Sequence, residues 1–287
     1  MSGRKIFWVT VLNASITAAQ AVGGLLSGSL ALLSGAVHSL SDTIAVAMSY
    51  VAWRISQKPG DTKRTFGYKR AEILSAFTNS AILLAVLSIL LFEAVRRIQA
   101  PETIDSTLMI VVAAIGFVAN LVSVLLLEKD SKHSLNIKAS YLHLINDTLS
   151  SVGVVIGGIL IKAFGVTWVD SIITILISLW ILRETWRVMK KTVAILMQSA
   201  ASLDYAAISK DIEGLDLVRN VHHVRTWMSN ENTIYFEAHV EMENVRLSEA
   251  SEICEKIEHI LKERYGVSHV ILQAEADVCK DKTLLTN

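Results

Sequence analysis

Cysteine, proline and net charge are all scarce in this chain of 287 residues, and each shortage excludes a class of protein. The cysteines, Cys254 and Cys279, lie in the last third, so the sequence offers no disulfide framework and no thiolate for a Cu(I) site in its apolar segments. Lys and Arg number 27, as do Asp and Glu, too even a balance for a nucleic-acid-binding protein. With two prolines, 52% hydrophobic residues and a mean hydropathy of +0.45, the composition predicts a polytopic α-helical membrane protein.

Six apolar runs, each with the roughly 20 residues needed to cross a bilayer, fill the first two thirds of the chain. They cover Ile6 to about Leu26, Leu30–Ile55, Ala71 to about Ile98, Ile104–Leu127, Ala139–Ile161 and Trp168 to about Met189. A signal peptide is the alternative for the first run, but its length and the lack of a polar cleavage region favour a membrane span. The sequence therefore predicts six transmembrane helices.

Charged residues near the ends of these runs predict the orientation. Lys and Arg concentrate at the N-terminus, in the loops after the second and fourth runs and after the sixth run, so both termini are expected to be cytoplasmic, with the protein in the cell membrane. Arg96 and Arg97, at the far end of the third run, depart from this rule, and Glu93 is expected to pair with them. Asp170, at the start of the sixth run, is expected to cap that helix.

Two histidine and aspartate pairs lie inside the apolar runs. His38 and Asp42 in the second run, and His143 and Asp147 in the fifth, stand four residues apart, so each pair shares one helix face. A single such residue is as often structural as functional. An aspartate near mid-span costs about 2.5–3.5 kcal/mol on insertion scales, however, and the chain repeats it with the same partner. The repetition favours a functional site.

The chemistry of the two pairs predicts a metal site. Two neutral imidazoles and two carboxylates supply the ligand number of tetrahedral zinc and cancel the charge of a divalent cation. Imidazole favours zinc and other late first-row metals over magnesium or calcium. Because metal binding needs deprotonated ligands, and empty carboxylates in a low dielectric take up protons, metal and protons would compete for this site. The residues therefore predict exchange of metal for protons.

From about Leu196 onward the pattern is that of a small soluble domain. It predicts, in order, helix Leu203–Asp216, strand Val218–Met228, strand Thr233–Met242, helix Arg246–Arg264 with Ser248 as its N-cap, and strand His269–Ala276. This αββαβ order predicts an α+β fold of the ferredoxin or metallochaperone type, with helices on one face of a small sheet. We expect two domains: a six-helix transmembrane transport domain, 1–195, and a cytoplasmic domain, 196–287.

Two functions other than transport could also use metal ligands in the apolar runs. An intramembrane metal hydrolase would also bury histidine and aspartate ligands, but the chain has no His-Glu-x-x-His and no Gly-x-Ser-x-Gly motif. A non-transporting membrane zinc sensor or scaffold, with the tail as its output, stays open as the alternative. No residue is assigned to catalysis or to cofactor binding, so an enzyme is not expected.

The six spans, the paired motifs, the segment Phe66–Glu72 (FGYKRAE) before the third span and the αββαβ tail together resemble the cation diffusion facilitator family over nearly the whole chain. The resemblance implies a homodimeric antiporter that exports zinc, often with cadmium or cobalt, in exchange for protons. Its partners are then divalent metal ions, protons and membrane lipid, with no nucleic acid. Zinc is expected as transported substrate and as candidate regulatory ligand, and not as a cofactor.

The resemblance also assigns sites outside the spans. In the tail it implies a metal-sensing and dimerisation domain whose ligands are His222, His239, Gln273 and Glu275. Strand alternation places His239 on the polar face of its strand but sends His222 to the opposite face, unless His222 lies before the strand proper. In the loop after the second span, Arg64 and Tyr68 replace family histidines, so no metal is expected there. His223 is expected to be solvated, and Cys279 to be either a further ligand or a thiol without a metal role.

Overall fold

The computed structural model describes residues 3–131, 135–279 and 282–285, with side chains described from residue 11 onward except at 127, 129–131, 135–140, 142 and 143. Its helices and strands follow the order predicted from the sequence. They are α1 (Gly3–Ser27), α2 (Leu30–Ser56), α3 (Ala71–Gln99), α4 (Ser106–Ser131), α5 (Leu135–Phe164), α6 (Trp168–Leu196), α7 (Tyr205–Glu213), β1 (Val218–Asn230), β2 (Thr233–Met242), α8 (Leu247–Tyr265) and β3 (His269–Glu275).

The first six helices have the length of membrane spans, from 25 residues in α1 to 30 in α5. Within the described residues, four stretches are both long and apolar enough to cross a bilayer: Leu30–Ser56, Ala71–Gln99, Ser106–Leu126 and Leu144–Phe164. The described apolar part of α1, Val11–Ser27, is shorter. Helix α6 carries charged residues in its second half and continues to Leu196, seven residues beyond the predicted end at Met189.

The chain divides into two compact units, and the first consists of Met1–Tyr50 and Ser75–Met189. A buried cluster joins its helices α2, α4 and α5 through Ala31, Leu32, Met109, Ala113, Val154 and Ile161. Gly157 and Gly158 of α5 allow close approach of the neighbouring helices, because an added Cβ would come within 2.3 Å of Ile173 and 2.6 Å of Ile110. At the charged end of α3, Arg96 and Arg97 both pair with Glu93, at 2.8 and 3.1 Å, as the sequence predicted.

Asp170 holds the beginning of α2 in place. Its side chain is fully buried, and its carboxylate accepts hydrogen bonds from Ser29 Oγ at 2.6 Å, Leu30 N at 2.8 Å and Ala31 N at 3.4 Å. The prediction that Asp170 caps its own helix is therefore wrong, since α6 begins at Trp168 and the carboxylate turns to a helix 140 residues earlier. Backbone N–H groups at a helix start lack partners within that helix, so a buried carboxylate there stabilises α2.

The second unit, Val51–Leu74 and Lys190–Asn287, contains the tail domain. Its sheet has the order β1–β2–β3, with β1 antiparallel and β3 parallel to β2. Helices α7 and α8 share the core of this domain with the sheet, around Phe236, Ile257 and Leu261. Helix α8 begins at Leu247, and its N-cap is Arg246, whose backbone N–H donates a hydrogen bond to Glu249 Oε2 at 2.9 Å. The prediction that Ser248 is the N-cap is therefore wrong.

Candidate metal sites

A cavity of about 540 Å³ lies among the helices of the first unit. Its wall includes His38 and Asp42 from α2 and Asp147 from α5, which brings three of the four residues of the predicted membrane site to one space. The fourth, His143, belongs to α5 one turn before Asp147, and its side chain lies outside the described residues. Asparagines 79, 120 and 146 also line the cavity, so its wall is polar on several helices.

The pair on α2 has the geometry that its spacing predicts. His38 Nε2 lies 3.6 Å from Asp42 Oδ2, and the two side chains are 26% and 38% exposed. Both side chains are therefore reachable from the cavity and not sealed in a close-packed interior. Two more contacts fix the start of α2: the carboxylate of Asp170 at its first residues, and Ser34 Oγ at 3.1 Å from Ser178 Oγ of α6.

Asn120 of α4 is another polar residue in the wall of the cavity. Its side chain is 3% exposed, yet its Oδ1 accepts no hydrogen bond from any described residue. An unsatisfied buried amide costs stability, typically about 1–3 kcal/mol. Since the amide lies in the wall of the cavity, a hydrated ion or water there would satisfy it.

Three of the four predicted tail ligands meet at one end of the sheet. His222 of β1 stands opposite His239 of β2, and Glu275 of β3 reaches both imidazoles, with Oε1 2.8 Å from His222 Nε2 and Oε2 3.3 Å from His239 Nδ1. The side chain of His222 is fully buried and that of Glu275 is 4% exposed. Gln273, the fourth, is exposed, and its amide nitrogen donates to Glu275 Oε2 at 3.3 Å.

The side chain of His222 lies on the same face of the sheet as that of His239, contrary to the expectation from strand alternation. A bulge in β1 between His222 and Arg225 inserts one extra residue, since β2 advances only from His239 to Glu237 over the same interval. His223 takes the left-handed backbone conformation there, with φ of 53°. Because the bulge resets the period of two, His222 faces the same side as His239 while Val224 still turns into the core. The prediction that His222 points away is therefore wrong.

His223 and Cys279 join this cluster, although the sequence singled out neither with any force. One ligand atom each from His222, His223, His239 and Cys279 lies within 4.8 Å of the other three. Cys279 Sγ is 4.0 Å from His223 Nε2, and the three imidazole centroids are 4.9–5.5 Å apart. The expectation that His223 is solvated is wrong, because it is half-buried among these rings. The sequence signal that could have revealed the cluster is the doublet His222-His223.

In the loop between α2 and α3, the carboxylate of Asp61 stabilises a turn. Asp61 Oδ2 accepts a hydrogen bond from Tyr68 Oη at 2.7 Å, and Oδ1 accepts from the backbone N–H groups of Lys63 and Arg64 at 2.8 and 2.7 Å. The Tyr68 hydroxyl first, and then the two backbone donors, lower the pKa of Asp61 below its ordinary value of 3.8. Asp61 is fully exposed, and its lone pairs are already engaged by these donors.

Comparisons with known proteins agree with this order of a helical domain followed by a smaller α+β domain. Residues 6–197 match the transmembrane domain of cation efflux proteins, and residues 200–277 match the cytoplasmic domain of cation efflux proteins, a family model named ZT_dimer. A metal cation efflux system protein, CzcD of Cupriavidus metallidurans, is 36% identical over 278 residues, which are 96% of this chain and 88% of that protein.

Two further relatives have equally broad matches. The cadmium, cobalt and zinc/H(+)-K(+) antiporter of Bacillus subtilis is 36% identical over 90% of this chain and 84% of its own length. The zinc transporter ZitB of Escherichia coli is 34% identical over 97% of this chain and 89% of its own length.

The chain therefore belongs to the cation efflux, or cation diffusion facilitator, family, which confirms the resemblance drawn from its motifs. It is an integral membrane protein with a helical transmembrane domain and a cytoplasmic αββαβ domain. The family is one of transporters and not of enzymes, in agreement with the sequence-based expectation.

Proposed function

We propose that this chain is a zinc efflux transporter that exchanges a divalent metal cation for protons across the cell membrane. The observation that supports this most directly is the cavity of about 540 Å³, in whose wall His38, Asp42 and Asp147 lie together. The names of relatives that are 34% and 36% identical, a zinc transporter and a cadmium, cobalt and zinc antiporter, point to the same substrate class.

The transported ion is held by His38, Asp42, His143 and Asp147. In this proposal the two helices α2 and α5 each supply one imidazole and one carboxylate to a single tetrahedral site, the geometry that zinc prefers. Two carboxylates cancel the charge of the ion, so the occupied site is neutral within the low dielectric of the membrane. The partial exposure of His38 and Asp42 toward the cavity gives the ion a route to these ligands.

Protons use the same ligands when the ion leaves. Two carboxylates facing one cavity repel each other once the metal is gone, and each of them gains stability from taking up a proton. Metal and protons therefore compete for one site, and alternating occupancy couples their opposite movements. This coupling needs no second proton pathway elsewhere in the chain.

The remaining assignments concern the arrangement of the whole chain. We place both termini in the cytoplasm because the basic loops concentrate on that side. Residues 1–195 carry out transport, and residues 196–287 form a cytoplasmic domain through which two copies assemble into a homodimer and which senses metal. The similarity of residues 200–277 to a domain model named ZT_dimer supports the homodimer.

The tail holds a regulatory metal through His222, His239 and Glu275, with Gln273 at its rim. Nε2 of His222, Nδ1 of His239 and Oε1 of Glu275 are buried and make no hydrogen bond with any described residue, although two of the contacts among these residues are only 2.8 and 3.3 Å long. Buried nitrogen and carboxylate lone pairs that face one another are stabilised by a shared cation, so these residues fit a divalent metal. When bound, the metal would cross-link the three strands of the sheet.

Zinc flux in proteoliposomes tests the membrane site. His38→Ala and Asp147→Ala each remove one ligand and are expected to lower zinc flux below about a tenth of the wild-type rate. Asp61→Asn is the matched control, since it also removes a carboxylate charge but lies outside the cavity, and it should retain near wild-type flux. Size-exclusion profiles of the purified variants verify that each one is folded.

The same assay separates transport from sensing. Wild-type flux that depends on His38 and Asp147 supports the proposal. Absence of any wild-type zinc flux, with zinc still bound to the purified chain, would instead favour a membrane zinc sensor. Full flux in the His38→Ala and Asp147→Ala variants would mean that the ion crosses by another route.

A further inference from the structure

The tail cluster contains the thiol of Cys279, which is not among the four ligands assigned above. We propose that the tail site is a mixed imidazole and thiolate site, in which His223 and Cys279 complete the pair His222 and His239. This inference rests on the proposed tail metal site and specifies its ligands. It predicts a preference for thiophilic divalent ions such as Cd²⁺, which a site of imidazole, amide and carboxylate alone would not have.

The bulge in β1 is the device that brings two successive histidines to one place. Neighbouring residues of a regular strand point to opposite faces, so a histidine doublet normally offers one imidazole to each face. Here the left-handed conformation of His223, with φ of 53°, turns both rings to the same cluster with centroids 5.0 Å apart. Such a conformation is uncommon for a residue with a side chain and indicates that the position is held by its surroundings.

The chain after β3 supplies the thiol and holds it against the bulge. We call residues 276–279 and 282–285 the C-terminal strap. Thr283 O accepts from His223 N at 3.1 Å and Leu284 O accepts from Val224 N at 2.8 Å, so the strap runs along the bulged part of β1. Lys282 Nζ pairs with the buried carboxylate of Glu241 at 2.7 Å. Cys279 thus lies between two anchored ends.

His222 supplies independent evidence that the cluster is built for a cation. Its Nδ1 lies 3.0 Å from Asn220 Oδ1, which can only accept a hydrogen bond, so Nδ1 is the donor of that contact and Nε2 is the nitrogen that would bind a metal. That Nε2 is buried and makes no hydrogen bond with any described residue, although Glu275 Oε1 is 2.8 Å away. A second partner that holds the opposite ring nitrogen is the usual arrangement for a metal-binding histidine.

The distances fit a tetrahedral ion after a small contraction. Zinc bond lengths of about 2.0–2.1 Å to nitrogen and 2.3 Å to sulfur set ligand separations of about 3.3–3.6 Å. The four candidate atoms lie within 4.8 Å of one another, so rotations of the side chains that close the cluster by about an ångström would suffice. Gln273 is less suited, because it is exposed and its amide oxygen is a harder ligand than imidazole or thiolate.

Metal spectroscopy on the full purified chain tests this ligand set. We would titrate wild type, Cys279→Ser and Cys254→Ser with Cd²⁺ or Co²⁺ and record the ultraviolet charge-transfer absorption of a metal–thiolate bond together with the number of ions bound. The membrane site contains no thiol, so this band reports on the tail alone. Cys254 is the matched control, since it lies on α8 within the core, where burial raises the pKa of its thiol.

We expect the band in wild type and in Cys254→Ser, and its loss in Cys279→Ser with a fall in Cd²⁺ affinity of at least about tenfold. His223→Ala should weaken Cd²⁺ binding similarly. Protection of Cys279 from maleimide by Cd²⁺ in the wild-type chain gives the same answer without any variant, so misfolding of a variant cannot decide the result. Slower maleimide labelling of Cys279 in the presence of Cd²⁺ supports the proposal.

Two results would overturn it, and they separate it from the tail site itself. If the tail binds Cd²⁺ in a manner abolished by His222→Ala but produces no thiolate band and no protection of Cys279, the tail site stands and the thiolate ligand is wrong. If His222→Ala leaves the number of bound ions unchanged and no band develops, the tail site and this ligand set both fail.

Discussion

Single carboxylates in this chain have different tasks because of what surrounds them. Asp170 is fully buried and accepts hydrogen bonds from the start of α2, so it stabilises the fold. Asp61 is exposed and holds a loop turn. Asp42 and Asp147 line a cavity together with the imidazole of His38, and there they are the proposed ligands of the transported ion. The residue type is the same in all four positions, and only the neighbours distinguish a structural role from the proposed role in transport.

Removing the Tyr68 hydroxyl should change the titration of Asp61. Because that hydrogen bond is the largest cause of the lowered pKa, Tyr68→Phe should move the pKa of Asp61 back toward 3.8. A lowered pKa in the folded state stabilises the loop above the unfolded-state pKa, and this contribution is lost as the pH falls through the folded-state value. Carboxyl-carbon NMR titration of labelled wild-type and Tyr68→Phe protein measures the shift. An unchanged pKa in the variant would show that the hydroxyl does not bond Asp61.

Residue spacing predicted the geometry of the pair on α2 better than that of the tail cluster, for a physical reason. A histidine and an aspartate four apart must share a face of any α-helix, so His38 and Asp42 could be paired from spacing alone. His223 and Cys279 meet only because a bulge and the C-terminal strap bring them together across 56 residues. No local periodicity carries that information, and the cap on α2 by Asp170 was missed for the same reason.

At the scale of elements, α2 depends on a partner outside itself. The helix begins at Leu30, eight residues before His38, and its first backbone N–H groups donate hydrogen bonds to the Asp170 carboxylate. The sequence predicted the bounds of α2 within a residue because its apolar run is continuous. What it could not predict is the contact that fixes the helix among its neighbours.

Asp170→Ala should therefore destabilise the membrane unit. The change leaves buried N–H groups at Leu30 and Ala31 without their acceptor, which typically costs about 1–3 kcal/mol. Thermal unfolding of the purified chain, followed by tryptophan fluorescence, should show a lower midpoint than wild type. Asp105→Ala is the matched control: Asp105 also bonds backbone N–H groups at a helix start, those of Thr107 and Leu108, but in an exposed position, and its loss should cost less. Equal midpoints for wild type and Asp170→Ala would contradict the role assigned to the cap.

At the scale of the whole molecule, two proposed metal sites of different chemistry belong to one chain. The membrane site offers imidazole and carboxylate in a cavity, where an ion must bind and leave. In the tail cluster His222 is fully buried, and the other three proposed ligands, His223, His239 and Cys279, are partly buried in anchored surroundings. This difference fits the proposed functions, since a transported ion must pass through its site, whereas a regulatory ion binds and dissociates without crossing the membrane.

The most direct test of the central claim is zinc movement driven by a pH gradient. Inverted vesicles that contain the wild-type chain are loaded with one indicator for zinc and one for pH. They should take up zinc faster when their interior is acidic, and the interior pH should rise as zinc enters. The Asp147→Ala variant should show neither effect. Zinc uptake that is indifferent to the imposed gradient, or that occurs without proton movement, would contradict exchange of metal for protons at one site.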